Sequence, residues 1–399
     1  MDPEIIKDSG FLDFAFLFIE NGYNDMVSAG LNDSLFNDLF GMKLTPAEKW
    51  KIIEPYWKKS FNTANNRVLL RAINDLYGAT ELNSATAAEI TRKMKVDYSS
   101  GWFDKIILEK SGIDYVIIDG DRFVTKAPYI KYSERFDEWI MASSKRVVDS
   151  LAIMQLSPIY TLEDFVKSLK NNFENKLKEG MVAVKIDMAY LRPIKFEKVS
   201  TEAARKIFKT LVNGNEDTKL SLEQARPLQD YMVYNLIELA GKNNIPVAFH
   251  TGFQAGNSNE LRNSDPTLLT NLFIRFPETR FVLFHGSYPF GGELSALAKT
   301  FSNVYIDMNW TYDISPTYAE KFLGEWLETV PVSKIMAFGG DQRTAEMTYG
   351  SLIVARKVVA DVLIEKVRIG YFNETEALNI ARMILHDNAM KFYNISTLP

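Results

Sequence analysis

Two rhythms of apolar and polar residues divide the chain. From Gly10 to about Gly112 the apolar positions recur at helical spacing, as in Pro46-Ala-Glu-Lys-Trp-Lys-Ile-Ile-Glu and Val68-Leu-Leu-Arg-Ala-Ile-Asn-Asp-Leu. Thr45 and Thr63 stand in front of these runs, where a hydroxyl can take up an unpaired backbone N–H. This predicts a mostly helical N-terminal region over 1–112. Asp114-Tyr-Val-Ile-Ile-Asp-Gly is the first buried strand, a short β-branched run closed by a turn residue, and a weaker strand is read near Tyr129 to Tyr132.

Beyond Gly180 strand and helix alternate. Strand-like Val182-Ala-Val-Lys-Ile-Asp is followed by a helix from near Thr201 and a longer one ending about Gly241, then by Pro246-Val-Ala-Phe-His. Asp265-Pro266 opens the next helix, with an Asp cap and Pro in the first turn. Strand Arg280-Phe-Val-Leu-Phe-His, a helix from about Gly292, strand Val304-Tyr-Ile-Asp-Met, a helix after Ser315-Pro316 and strand Lys334-Ile-Met-Ala-Phe complete the series, with helices to the C-terminus. Near-continuous apolar strands separated by helices indicate parallel pairing with both faces covered. The region 113–399 is therefore expected to be α/β. An open doubly wound sheet fits the same alternation, but the Gly-rich phosphate loop such sheets carry after an early strand is missing.

Composition narrows the function. With 399 residues, 46% hydrophobic and 13% aromatic, the chain can bury a large core and exceeds a bare eight-stranded barrel of about 250 residues. A net charge of −5 without a basic stripe argues against nucleic acid as a partner. There are no cysteines, so any metal falls to His, Asp, Glu or a modified Lys. No apolar run reaches a membrane span of about 18 residues. Met1 to Gly10 lacks the pattern of a signal peptide and does not read as a strand, so a cytoplasmic protein is the default expectation.

Two of the three histidines stand at C-terminal ends of predicted strands, in Val247-Ala-Phe-His250-Thr-Gly and Val282-Leu-Phe-His285-Gly, and Asp341 follows a third in Ile335-Met-Ala-Phe-Gly-Gly-Asp. Catalytic groups gather at those ends because the strand holds the side chain while the following loop can open. Two neutral imidazoles and a carboxylate suit a divalent ion such as zinc, whose bound water becomes acidic enough to react near neutrality. A lone histidine at one strand end is most often a satisfied core residue; three such residues at three strand ends favour a site.

These residues resemble a family. His250-Thr-Gly, His285-Gly with Pro289, Asn303-Val-Tyr-Ile-Asp and Phe338-Gly-Gly-Asp341, with a closing Ile384-Leu-His-Asp-Asn388-Ala-Met-Lys-Phe-Tyr, look like the last four strands and final helix of the amidohydrolase superfamily, in its branch of TIM-barrel metal-dependent hydrolases. The resemblance covers roughly Gly180 to Tyr393. It implies a (β/α)8-type barrel in which His250 binds the metal, His285 binds a second metal or orients substrate and water, and Asp341 touches the metal and moves the proton. Members normally begin with a strand bearing a His-x-His pair, and this chain has none. Two readings stay open: the chain starts downstream of that strand, or it is a non-catalytic relative that binds a small molecule. A missing first strand leaves two open edges, which the N-terminal helices or the partner subunit of a homo-oligomer would cover.

Further expectations concern a small polar or carboxylate-bearing substrate. Lys185 lies where some superfamily members carry a carboxylated lysine, although a lysine paired with a carboxylate is the commoner role. Arg192 and Arg343 could grip a substrate carboxylate through their planar forks, or form salt bridges. Gln254, Trp310 and Tyr312 follow strands and could line the pocket, with packing under a loop the commoner role for the two aromatics. His386 reads as structural. The expected activity is metal-dependent hydrolysis of a C–N or C–O bond through a metal-activated water; decarboxylation and uronate-type isomerisation are further chemistries the superfamily hosts.

Overall fold

The structure, a computed structural model, describes residues 12–19, 21–98, 101–120, 122–123 and 127–396. The reading of Met1 to Gly10 as neither strand nor leader falls outside them. Seven strands form one parallel sheet in sequence order: β1 (Val116–Asp119), β2 (Ile130–Arg135), β3 (Met181–Ile186), β4 (Val247–Phe249), β5 (Phe281–Leu283), β6 (Val304–Asp307) and β7 (Ile335–Met336). Parallel neighbours in unbroken order curl the sheet into an incomplete TIM barrel, and among the described residues nothing pairs with the outer edges of β1 and β7.

β4 to β7 are only two to four residues long. β3 buries five of its six residues, and alternation sends Ala183, Lys185 and then Asp187 inwards. Ala183 and Ala248 leave room inside the barrel, which Phe392 and Tyr393 fill from the C-terminal helix. That helix also pins β7: the Asn388 amide donates to the carbonyls of Val332 and Ile335, both at 2.8 Å. The expected strand 334–338 therefore holds to the sheet only over Ile335–Met336, while residues 337–340 leave it towards Asp341.

The N-terminal helices form as read. Thr45 and Glu48 close a capping box on helix Pro46–Ser60, and Thr63 caps helix Ala64–Tyr77, which stops at Gly78 in a left-handed conformation. They share a core with Tyr129, Ile130, Ala345 and Met347, so they pack against β2 and against helix Ala345–Arg368, which follows the Asp341 loop. Glu346 in that helix is fully buried and accepts from Tyr77 Oη (2.6 Å), Tyr98 Oη (2.9 Å) and Trp102 Nε1 (2.9 Å). A buried carboxylate satisfied by three donors from the N-terminal helices ties them to the barrel. No helix of the described residues is long and apolar enough to cross a membrane.

Candidate functional site

A cavity of about 700 Å³ occupies the C-terminal ends of the strands and reaches both open edges, from Tyr115 and Ile117 by β1 to Met336 and Phe338 by β7. His250, Asp341, Trp310, Arg343 and Lys185 line it.

The loops after β4 and β5 are locked together, and this sets the two histidines. Gly252 sits at φ +76°, and a Cβ there would come within 2.4 Å of the Ser287 and Tyr288 backbone, so only glycine permits the approach. Thr251 Oγ1 donates to the Phe284 carbonyl at 2.9 Å, and the Phe253 N–H donates to the Tyr288 carbonyl at 2.6 Å. His285, Trp310 and Asp341 all adopt positive φ (63°, 59° and 50°), backbone strain of the sort that collects at functional sites.

The imidazoles form a dyad. His250 Nε2 lies 2.9 Å from the Phe253 carbonyl, and His250 Nδ1 lies 3.0 Å from His285 Nε2. Burial, and then the neighbouring His285, hold His250 well below the usual histidine range. Burial likewise lowers His285 to about 4, against the pull of Asp341. Both rings are neutral near pH 7, so together they hold two ring protons for three contacts: His250 Nε2 with the Phe253 carbonyl, His285 Nε2 with His250 Nδ1, and His285 Nδ1 with the Asn309 carbonyl at 3.3 Å. One of the three contacts therefore lacks a proton. His285 Nδ1 also lies 3.8 Å from Asp341 Oδ2. Trp310 packs edge-on against His285, and Tyr190 packs at a tilt against His250.

The opposite wall is built of paired charges. Arg135 binds Asp119 through Nε and Nη2, at 3.0 and 2.5 Å, and reaches Asp187 at 2.6 Å. Lys185 Nζ lies 2.8 Å from Asp187 Oδ1. Burial would strip the Lys185 proton, but Asp187, Asp119 and Asp341 outweigh it and raise its pKa. The lysine is an ammonium held by carboxylates.

Other expected residues are not brought to this cavity. Arg192 is buried elsewhere, bound to Asp230 at 2.5 Å and donating to Gln229 Oε1 at 2.9 Å, so its fork is spent inside the protein. Gln254 is buried in the loop after β4, where neither amide atom finds a partner among the described residues, and it is not among the cavity-lining residues. Tyr312 lies behind the wall, donating to the Ala337 carbonyl at 2.6 Å. His386 pairs with Asp387 and Asp114, away from the cavity. The sequence reading passed over Arg135, Asp119, Asp187 and Asp307, which line the cavity. Asp307 ends a strand as His250 does, and the strand-end criterion could have found it.

Residues 208–395 match the family model described as amidohydrolase. Over 180 residues, 44% of this chain, the sequence is 30% identical to protein fluG of Emericella nidulans, and the match spans 21% of fluG. The fold is similar to that of glucuronate isomerase from Caulobacter crescentus, with a TM-score of 0.79, 16% identity, and coverage of 100% of this chain and 90% of that one. It is also similar to a protein described as a metal-dependent hydrolase from Lactobacillus casei, with a TM-score of 0.67, 16% identity, and coverage of 96% and 93%. The description of the Lactobacillus casei protein names a metal, which a set of converging donors would have to hold here. Among the described residues no three His, Asp or Glu side chains stand close enough to hold one. Both nitrogens of His250 are engaged, and Asp341 Oδ2 lies 3.8 Å from His285 Nδ1. The expected trio of His250, His285 and Asp341 is thus a hydrogen-bonded dyad with a carboxylate beside it, and does not fit a metal centre by itself.

Proposed function

We propose that this chain, whose residues 208–395 belong to the amidohydrolase family, is a hydrolase acting on a small polar or carboxylate-bearing molecule held in the barrel cavity, with Asp341 as general base on the attacking water. The observation that carries this reading is a half-exposed carboxylate beside a buried imidazole, with Asp341 Oδ2 3.8 Å from His285 Nδ1. The half-exposed Asp341 reaches water, while the buried dyad keeps His285 oriented through His250 and Phe253. Zinc is the ion these donor types favour. The described donors do not gather around one, so the proton transfer is assigned to the chain's own groups.

p-Nitrophenyl acetate, a small activated ester, tests the assignment. Asp341→Asn is expected to lower its hydrolysis by about 10²- to 10⁴-fold, the usual contribution of a positioned base. A variant as active as the native protein would remove Asp341 from the reaction.

A further inference from the structure

Hydrolysis of a C–N bond needs two proton transfers, one from the attacking water and one to the departing nitrogen. Asp341 accounts for the first. The strand order β5-β6-β7 places Asp307, the last residue of β6, between the strand that carries His285 and the strand that leads to Asp341. Asp307 lines the same cavity and is 7% exposed. Its Oδ1 accepts the Asn309 N–H at 2.8 Å, and Asn309 Oδ1 in turn accepts the His285 N–H at 3.0 Å. This carboxyl is therefore fixed relative to the dyad.

We infer that Asp307 is the general acid that protonates the leaving group, in a division of labour with Asp341. The inference rests on the hydrolase reading above. Its physical basis is the contrast between two carboxyls in one cavity. Asp341 is 45% exposed at its side chain, whereas Asp307 is buried with one backbone donor and no ion pair among the described residues. An isolated buried carboxyl keeps its proton. Burial raises Asp307 to about 7, the Asn309 bond opposes this, Asp341 adds to it and Lys185 counters. The remaining titratable neighbours, Tyr312 and Tyr393, are buried and pushed far above the ordinary tyrosine range.

In the step itself a water oxygen bonds to the carbonyl carbon as its proton passes to Asp341. The C–N bond then breaks, and the Asp307 proton goes to the nitrogen. An acid and an amine leave, and the proton on Asp341 returns through solvent to Asp307. No oxidant or further reactant is needed.

A matched pair of probes separates the two carboxyls. p-Nitrophenolate departs without protonation, whereas the anilide nitrogen of p-nitroacetanilide must receive a proton. Asp307→Asn preserves the acceptor for Asn309 but has no acidic proton. It is expected to lower anilide hydrolysis by about 10²- to 10⁴-fold and ester hydrolysis by less than about tenfold. With the native protein, the anilide rate should fall as pH rises through about 7, a limb the ester rate lacks. Should Asp307→Asn fail to fold by circular dichroism, Asp307→Ser repeats the comparison. Equal losses on both probes, or a native protein that cleaves the ester alone, overturn the Asp307 assignment and leave the hydrolase reading standing. A native protein that cleaves neither overturns the hydrolase reading and the acid role with it.

Discussion

The two walls of the cavity solve the same problem in opposite ways. On the wall from β1 to β3, Asp119, Arg135, Lys185 and Asp187 keep their charges by neutralising one another. On the side from β4 to β7, His250 and Asp307 in the wall and His285 behind it are more deeply buried than Arg135 and Asp119; among the described residues the carboxylate nearest the histidines is Asp341, 3.8 Å from His285, and burial drives each of the three towards its neutral form. Paired charges are fixed and spent. Groups that are neutral and not locked into ion pairs remain able to exchange protons, so the chemistry belongs on the second wall.

The sharpest way to break the comparison is to remove one charge from the paired wall. Lys185→Met strands Asp187 and Asp119 beside a single arginine, and loss of one partner from a buried pair costs about 3–5 kcal/mol. Urea unfolding should register a loss at the lower end of that range, because Arg135 remains. A stable Lys185→Met protein would mean that the wall is not held by its charges.

The neutral wall should instead reveal itself through pH. An unfolded histidine gains its proton near 6.5, whereas folded His285 does so near 4. Between these values the unfolded chain binds more protons, so the His285 contribution makes stability fall as pH drops from 6.5 to 4, and it vanishes above 6.5. Two and a half units correspond to about 3 kcal/mol. Asp307 has the opposite sign: its raised pKa makes the folded state hold a proton that the unfolded chain has lost, so stability rises as pH falls from about 7 towards 4. Urea titrations of His285→Gln against the native protein should show a flatter decline on acidification, while Asp307→Asn should show a steeper one. Parallel curves would contradict the neutral assignment.

The smallest expected effect concerns Asp341. It is half exposed, and asparagine tolerates its left-handed backbone, so Asp341→Asn should change unfolding free energy by less than about 0.5 kcal/mol. A larger loss would place Asp341 in the scaffold rather than in the chemistry.

Much of this architecture is legible in the sequence because it depends on local order. The apolar runs at Val182, Val247, Phe281 and Val304 read as buried strands because helices alternate with them, and Thr45, Thr63 and Ser315 cap the helices that follow them. Strand-end position also marked His250, His285 and Asp341 as neighbours. Arg192 and Gln254 show where such reasoning stops. Both follow a strand, yet Arg192 finds Asp230 in helix Leu222–Lys242, a partner 38 positions away that no local pattern announces.

What the sequence determined by itself was the succession of strands and helices and the residue types available at each strand end, since these follow from the period of burial and the chemistry of single side chains. Only the tertiary structure decided which ends converge and what each group is bound to. It paired Lys185 with Asp187, turned His250 and His285 into a hydrogen-bonded dyad, and left Asp307 buried without a counter-charge. The reason is physical: protonation state and availability are properties of distance and burial, which the chain acquires only when segments remote in sequence are folded into contact.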